Sequence, residues 1–566
     1  MKLIDSRKDH YRKLAHEQGY RSRASYKLKE LNKSYRIIGA GQFVLDLGCA
    51  PGGWMQVVAK IVGNKGKVMG IDQSYVEEIP GTFILRASID DDNLTREIFS
   101  FFGEKINKHL WQKIRLMNNK EIYKIFLIFL IFFSFTSFFI GFYLDENSAG
   151  AGTYSGDFVH TWNNVQVYLN NNFFSSLNHP DFYSGRTPLM YILHELFNPF
   201  IETKIGYRRS AFVISLLLPI LFYFCLKQKF KDEDKMLLLL ISSTVCLSPY
   251  FRTSAYWGLE ENYGLICILL AFLSLNYLLK EHNNKTYKIY IQIFFVTLFS
   301  SCCLYFDYKF TIIPIICFIK IILSKKLFRH KIFSVFCYSI FSLPCIYLII
   351  LWGGLVQTRV VAARSFGDEL YFSHIGYCAT IICFYLLPLL LFKKKNIFNL
   401  LKSFFSEKKN YYLISLFFLY LFYLMNYHVF SEQILLEKGY FHAGSALFGE
   451  PISIGKGYIH KVSIILFKDN FLRQIFTYSS FFLSWLVILI YTGKSIQDIG
   501  IVFYFFILSL LLFPFIQEYL DPVIILMAFT FFNSKLIINY KNSIMLFLYL
   551  ASFLFVCNIY YMKIHN

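Results

Sequence analysis

From Ile122 almost to the last residue, apolar runs of about twenty residues follow one another, separated by short charged loops. A helix rises about 1.5 Å per residue, so roughly twenty apolar residues cross the ~30 Å hydrocarbon core of a bilayer. A stretch built this way cannot share a core with a water-soluble domain, so the chain must change solvent where the runs begin. Composition agrees: 55% hydrophobic and 20% aromatic residues, with 64 Phe and 41 Tyr, are too many for an ordinary soluble protein. The runs lie near 122–144, 209–227, 236–252, 262–280, 288–305, 309–324, 332–353, 373–392, 411–430, 471–492, 499–516, 520–534 and 544–562. They predict an all-α polytopic membrane domain over 122–566 with about 12 or 13 transmembrane helices.

Loop charge orients that domain. Lys227, Lys229, Lys231 and Lys235, the loop from Lys280 to Lys288, Lys325, Lys326 and Lys331, and the loop from Lys393 to Lys409 all fall on one side of this alternation. Lys-rich short loops stay in the cytoplasm. Residues 1–121 are then cytoplasmic, and 145–208, 250–261, 354–372 and 431–470 lie outside, with 145–208 and 431–470 the large external loops. The expected setting is a multi-pass protein of a bacterial inner membrane. The charged N-terminus is followed by no apolar stretch, which argues against a signal peptide. Most of the 12 cysteines lie inside apolar runs, and no CxxC or Cys/His metal spacing appears. They read as packing residues, and no metal site is expected from them.

The net charge of +20 suits anionic partners. Beyond the loops it gathers in residues 1–36, where Lys and Arg alternate with Tyr11, Tyr20, Tyr26 and Tyr35. Phosphate contact with aromatic stacking suits RNA, and a solvated helix face is the plain alternative. A short buried strand is expected next, Gln42 to Leu47, ending in Gly48-Cys49-Ala50-Pro51-Gly52-Gly53-Trp54. A helix with apolar Met55, Val57, Val58, Ile61 and Val62 leads to a second strand ending at Asp72. This is a βαβ unit. Glycines let the backbone approach a ligand, and an acid closing the second strand accepts ribose hydroxyls.

Arg21-Ser22-Arg23-Ala24-Ser25-Tyr26-Lys27-Leu28, then Asp46-Leu47-Gly48-Cys49-Ala50-Pro51-Gly52-Gly53-Trp54, then Asp72, resemble the FtsJ (RrmJ) family. These are S-adenosylmethionine-dependent 2′-O-ribose methyltransferases of large-subunit ribosomal RNA. The resemblance covers about Lys8 to Ile106 and implies a partial Rossmann-like α/β module over 1–106. It implies that Gly52, Trp54 and Asp72 contact S-adenosylmethionine, and that Lys27 opens the family's Lys-Asp-Lys-Glu catalytic set. The adenine-contacting acid of the family falls on Ser88, with Asp90 two residues on. After Ile106 the family's fourth strand and the rest of its catalytic set do not follow; residues 107–121 form a seam instead. In the family's sheet that fourth strand lies beside the first, so Val44–Leu47 should form an open edge. The expectation is a cofactor-binding half that does not methylate alone.

Beyond the first span the predicted external segments carry acids: Asp145-Glu146, Asp157, Asp181 and Glu260-Glu261. Leu144-Asp145-Glu146 at the first span's exit, a long first loop and many spans resemble the GT-C superfamily of polyprenyl-phosphate-sugar glycosyltransferases. That layout implies a carboxylate acting as general base on an acceptor hydroxyl or helping to bind a divalent metal. Asp145 ranks first, Glu146 and Asp157 next and Glu260-Glu261 last, with Arg186, Arg252 or Arg359 to neutralise a lipid phosphate. The plain alternative is that these acids solvate a loop. Three other readings stand beside this transferase: a membrane-anchored RNA methyltransferase, a transporter or flippase for which only Asp307 lies near a midplane, and a reading frame joining two neighbouring genes.

Overall fold

In a computed structural model, residues 14–15, 17–88, 91, 93–103, 108–150, 154, 156–280, 286–357, 370–393, 397–427, 441–447, 450–453, 456–512 and 515–565 are described. For 95, 108–123, 286, 397, 409, 427, 441–447, 450–453 and 562–565 this covers the backbone alone. The first thirteen residues, with the start of the basic arm, and Asp90 and Arg359 lie outside the described residues. The chain divides into Met1–Ile125 and Phe126–Asn566.

In the first unit, helix α1 (Ala24–Tyr35) precedes strand β1 (Phe43–Leu47), helix α2 (Gly53–Val62), strand β2 (Lys67–Asp72), strand β3 (Phe83–Arg86) and helix α3 (Leu94–Phe102). The strands are parallel in the order β1-β2-β3, with Leu47 opposite Ile71 and Asp72 opposite Arg86. Alternation along the strands sends side chains to two layers. Val44 and Ile84 pack with Leu28, Met55, Val58 and Val62 on the α1–α2 side. Phe43, Leu45 and Leu47 pack with Leu94, Ile98 and Phe102 of α3. The central strand β2 is buried at Val68, Met69 and Ile71, whereas every residue of β1 is only half-buried. Among the described residues, β1 is the edge of the sheet.

A 36-residue helix, α4 (Lys108–Tyr143), follows; the division at Ile125 falls within it, and its Lys124–Tyr143 part is long and apolar enough to cross a membrane. Among the described residues six more stretches qualify: Lys204–Lys229, Glu261–Lys280, Tyr287–Phe306, Phe328–Trp352, Asn470–Thr492 and Tyr540–Tyr561. Lys235–Leu247 and Pro249–Trp257, bent by 67°, make an eighth if read as one span. Against the 12 or 13 full-length helices expected from hydropathy, the described residues hold these seven or eight, with Ser373–Leu386, Asn410–Asn426 and Ile496–Leu511 as shorter apolar helices. Segment 309–324 holds the end of a 3-10 turn, Tyr308–Thr311, and the 11-residue helix Ile312–Ile322, and 520–534 the 7-residue helix Val523–Phe529. The second unit is also not wholly helical: Phe441–Leu447 and Glu450–Ser453 pair antiparallel.

Loops of the second unit gather at two ends. At one, Lys229 Nζ donates to the carbonyls of Thr530 (2.9 Å) and Phe532 (2.8 Å). There too Lys393 Nζ donates to Tyr491 O at 2.9 Å, and Asp498 accepts from Asn533 N and Ser534 Oγ at 2.7 and 2.8 Å. At the other, residues from 157–191, 259–261, 307–309, 352–356 and 508–519 enclose one cavity.

Candidate functional site

The glycine turn of the first unit follows from its backbone needs. Gly48 and Gly52 sit at φ 77° and 98°, a region that costs a side-chain-bearing residue about 1–2 kcal/mol. A Cβ at Gly52 would lie 2.6 Å from Ile79 Cδ1, and one at Gly53 would lie 2.3 Å from Ser22 Oγ. The Arg21–Leu28 string holds this turn in place. Ser25 Oγ donates to Gly53 O at 2.9 Å, Trp54 Nε1 to Ala24 O at 2.9 Å, and Arg21 N to Gln56 Oε1 at 2.8 Å. The Arg21 guanidinium reaches the carbonyls of Glu77 and Glu78 at 2.7 and 3.0 Å, tying down the loop after Asp72. Lys27 is exposed on α1, one turn from these anchors.

Asp72 closes the turn from below. Its Oδ2 accepts from Ala50 N at 2.9 Å and its Oδ1 from Ser74 N at 2.8 Å. These backbone donors hold its carboxyl below the ordinary aspartate range. Asp46 behaves oppositely: burial, then the charge of Asp72, raises its carboxyl, and its buried Oδ2 has no hydrogen-bond partner among the described residues. Burial likewise pushes the Cys49 thiol up to about 11. A Cβ on Gly48 would meet nothing within 4 Å, so the turn has open space on its outer side. An ionised carboxylate beside an open, glycine-lined turn fits a ligand that offers ribose hydroxyls. Ser88 accepts from Gln73 Nε2 at 3.0 Å.

In the second unit the acids at the exit of α4 are tied to buried arginines. Asp145, at φ 49°, accepts from Arg208 Nη2 at 2.6 Å, and Arg208 also donates to Tyr256 O at 2.7 Å and lies over Trp257. Glu146 pairs with Arg252 through both carboxylate oxygens, one of them 2.8 Å from Nε. Neither acid is among the residues lining the cavity of about 630 Å³ at that unit's loop end. Asp157, Glu260, Glu261, Asp307 and Glu518 line it, with Arg186 and Lys309. Arg186 commits all three nitrogens: Nε to Asp307 Oδ2 at 3.2 Å, Nη1 to Glu260 Oε2 at 3.0 Å, and Nη2 to Glu261. Tyr191 OH donates to Glu260 Oε1 at 2.6 Å, and Lys309 Nζ lies 3.1 Å from Asp307 Oδ2.

Burial drives the Glu260 carboxyl up against the opposing pull of Arg186, and drives Glu518 well above its ordinary range with the help of Glu261. The guanidinium of Arg186 loses solvent too, yet Glu261, Asp307 and Glu260 raise it further and keep it charged. Sequence reasoning placed Glu260 and Glu261 last and did not single out Lys309, Tyr191 or Glu518. The available signal was a charged residue interrupting an apolar run, as in Asp307-Tyr308-Lys309 and Gln517-Glu518-Tyr519. Among the described residues no group of three or more His, Cys, Asp or Glu has metal-holding geometry.

The family model described as FtsJ-like methyltransferase matches residues 20–118. The chain is 69% identical over 107 residues to ribosomal RNA large subunit methyltransferase E of Nitrosopumilus maritimus, covering 19% of this chain and 54% of that protein. It is 57% identical over 103 residues to the protein of the same name from Cenarchaeum symbiosum, covering 18% and 53%. Among solved structures, a ribosomal RNA methyltransferase from Plasmodium falciparum matches at 32% identity and a TM-score of 0.14, covering 15% of this chain and 51% of that one. The chain spans about half the length of these curated relatives. Its first unit carries an FtsJ-like methyltransferase module with a small parallel sheet, a module of a family that uses S-adenosylmethionine.

Proposed function

We propose that the first unit binds S-adenosylmethionine at the Gly48–Trp54 turn and meets RNA through its basic arm, and that it does not complete ribose methylation by itself. The observation that carries this reading is the Asp72 carboxylate, kept ionised by two backbone donors beside a turn whose outer side is open. Bound there, S-adenosylmethionine supplies the methyl group. Asp72 would accept the ribose hydroxyls, Gly52 would let the backbone come close, and Trp54, 39% exposed, would border the ligand. Lys27 would hold a target ribose hydroxyl or its phosphate. The matched half lacks the family's later catalytic residues, so positioning is present and the proton-transfer set is incomplete. The test is calorimetry on the full chain in detergent. S-adenosylmethionine should bind, Asp72→Ala should weaken it more than tenfold, and labelled methyl transfer to large-subunit ribosomal RNA should be absent. No binding by the parent chain would sink the first claim, and methyl transfer the second.

A second reading, favoured by the charged cavity, is that the helical unit is a multi-pass membrane transferase of the glycosyltransferase type. Asp157, on the cavity wall, would take the proton of an acceptor hydroxyl, whereas Asp145 and Glu146, paired with Arg208 and Arg252 away from the cavity lining, would serve the fold. General bases typically contribute about 10²–10⁴-fold in rate. With a radiolabelled polyprenyl-phosphate sugar donor, Asp157→Asn should therefore cut transfer at least a hundredfold at unchanged expression. Unchanged transfer would remove Asp157 from the site, and chelation of divalent metal would show whether a metal takes part.

A further inference from the structure

An apolar cleft of about 710 Å³ adjoins the charged cavity in the second unit. Phe173, Phe174, Leu189, Ile340, Leu343 and Tyr347 form much of its wall. Three chain segments pass from one space to the other within a few residues. Arg186 lines the charged cavity and Thr187 the cleft; Tyr305 lines the cleft and Asp307 the cavity; Leu348 lines the cleft and Trp352, one helical turn on, the cavity. The seam between them is fixed: Thr187 Oγ1 donates to Tyr305 O, and Trp352 Nε1 donates to Leu177 O at 2.9 Å. A ligand that fills both must be apolar along one length and polar at one end.

Charge decides what that end is. Five carboxyl groups line the cavity against two cations, Arg186 and Lys309. Both cations are already committed, Arg186 to three carboxylates and Lys309 to Asp307. A phosphate would meet an excess of carboxylates and would have to displace one to reach the guanidinium. Glu260, Glu261 and Asp307 are held by Arg186, but neither cation pairs with Glu518, and an ammonium arriving there would draw its raised carboxyl into the ionised form and pair with it. We infer that the cleft and the charged cavity form one binding site for a single-chain amphiphile with a cationic head group. The chain lies along the cleft between Phe174 and Leu343, and the head enters the cavity toward Glu261 and Glu518. This assignment concerns binding and stands apart from the transferase reading.

The test uses the full chain in uncharged phosphatidylcholine nanodiscs and three probes sharing one sixteen-carbon chain with a mid-chain diazirine. Their heads are a primary amine, a hydroxyl and a phosphate monoester. The amine probe should label peptides containing Phe173–Leu177 or Ile340–Leu348 at least tenfold more than the phosphate probe, and excess unreactive amine should compete. Leu343→Trp, at a position 59% exposed and so tolerant of bulk, should abolish labelling. Glu518→Gln should reduce the amine preference at least threefold. Equal labelling by all heads would make the cleft ordinary lipid-facing surface and overturn the assignment. Preference for the phosphate, or no labelling, would overturn it as well. Sugar transfer could still succeed in either case, so the two readings fail separately.

Discussion

Arg252 is 2% exposed and meets Glu146 through two oxygens, so the pair is buried machinery of the fold. Removing one partner of such a pair leaves an uncompensated charge and typically costs about 3–5 kcal/mol. Glu146→Ala should therefore lower the denaturation midpoint of the detergent-solubilised chain sharply, whereas Asp157→Asn, at an exposed position, should leave it nearly unchanged. The opposite order would place Glu146 at a working surface. Asp46 allows a pH prediction with a definite sign. Its folded carboxyl is raised, so the folded state loses stability as pH rises through that raised value and the buried group ionises. Asp46→Asn should stabilise the 43–72 ladder at pH 7, and the gain should vanish below about pH 4, where aspartate is protonated in both states. Hydrogen exchange across β1 and β2 reads this directly. The geometry of the glycine turn was legible because it is local: Gly52, Trp54 and Asp72 stand in one string and one strand end. The cavity was not, because Glu260, Asp307 and Glu518 are separated by long apolar runs and only packing brings them together.

Among elements, the helix Phe328–Trp352 carries Pro344 in its interior, and the Tyr305 hydroxyl sits in the resulting gap. It donates to Phe341 O and accepts from Cys345 N at 3.1 Å, standing between two groups that would otherwise bond in an unbroken helix. That insertion lies on the wall of the apolar cleft, so backbone geometry and cleft shape are linked. Pro344→Ala together with Tyr305→Phe should let Phe341 and Cys345 bond directly and narrow the cleft. Cys302, on the cleft wall and partly buried, reports it. Its labelling by a membrane-permeant maleimide should slow severalfold, and unchanged labelling would show that the gap does not shape the cleft. The βαβ order of the first unit was readable because strand, glycine turn and helix alternate over short distances. Helix lengths in the second unit were not. The run at 520–534 is apolar because it is enclosed by protein, with every residue of Val523–Phe529 buried, and hydropathy cannot distinguish that from enclosure by lipid.

For the second unit as a whole, the grouping of charge at its loop ends is more regular than its helix lengths. The segment 309–324 starts at Lys309 in the charged cavity and brings Lys320 within electrostatic reach of Asp498 at the lysine-rich end. The segment 520–534 likewise starts beside Glu518 and ends at Thr530 and Phe532, whose carbonyls hold Lys229. Both are too short as helices to count as full spans, yet both carry the chain from one end to the other. The alternation inferred from loop charge therefore does not depend on helix length. At one end Lys229 and Lys393 cap backbone carbonyls of the buried residues Thr530, Phe532 and Tyr491, a use of cations that needs no partner outside the protein. The acids at the other end face a cavity. Positive-inside bias then predicts that the lysine end faces the cytoplasm and the cavity opens outside. Single cysteines at Leu327 and Leu355, 56% and 59% exposed, test this with a membrane-impermeant maleimide. Leu355→Cys should react in intact cells and Leu327→Cys only after permeabilisation. The reverse pattern would put the cavity, and any amphiphile it holds, on the cytoplasmic side.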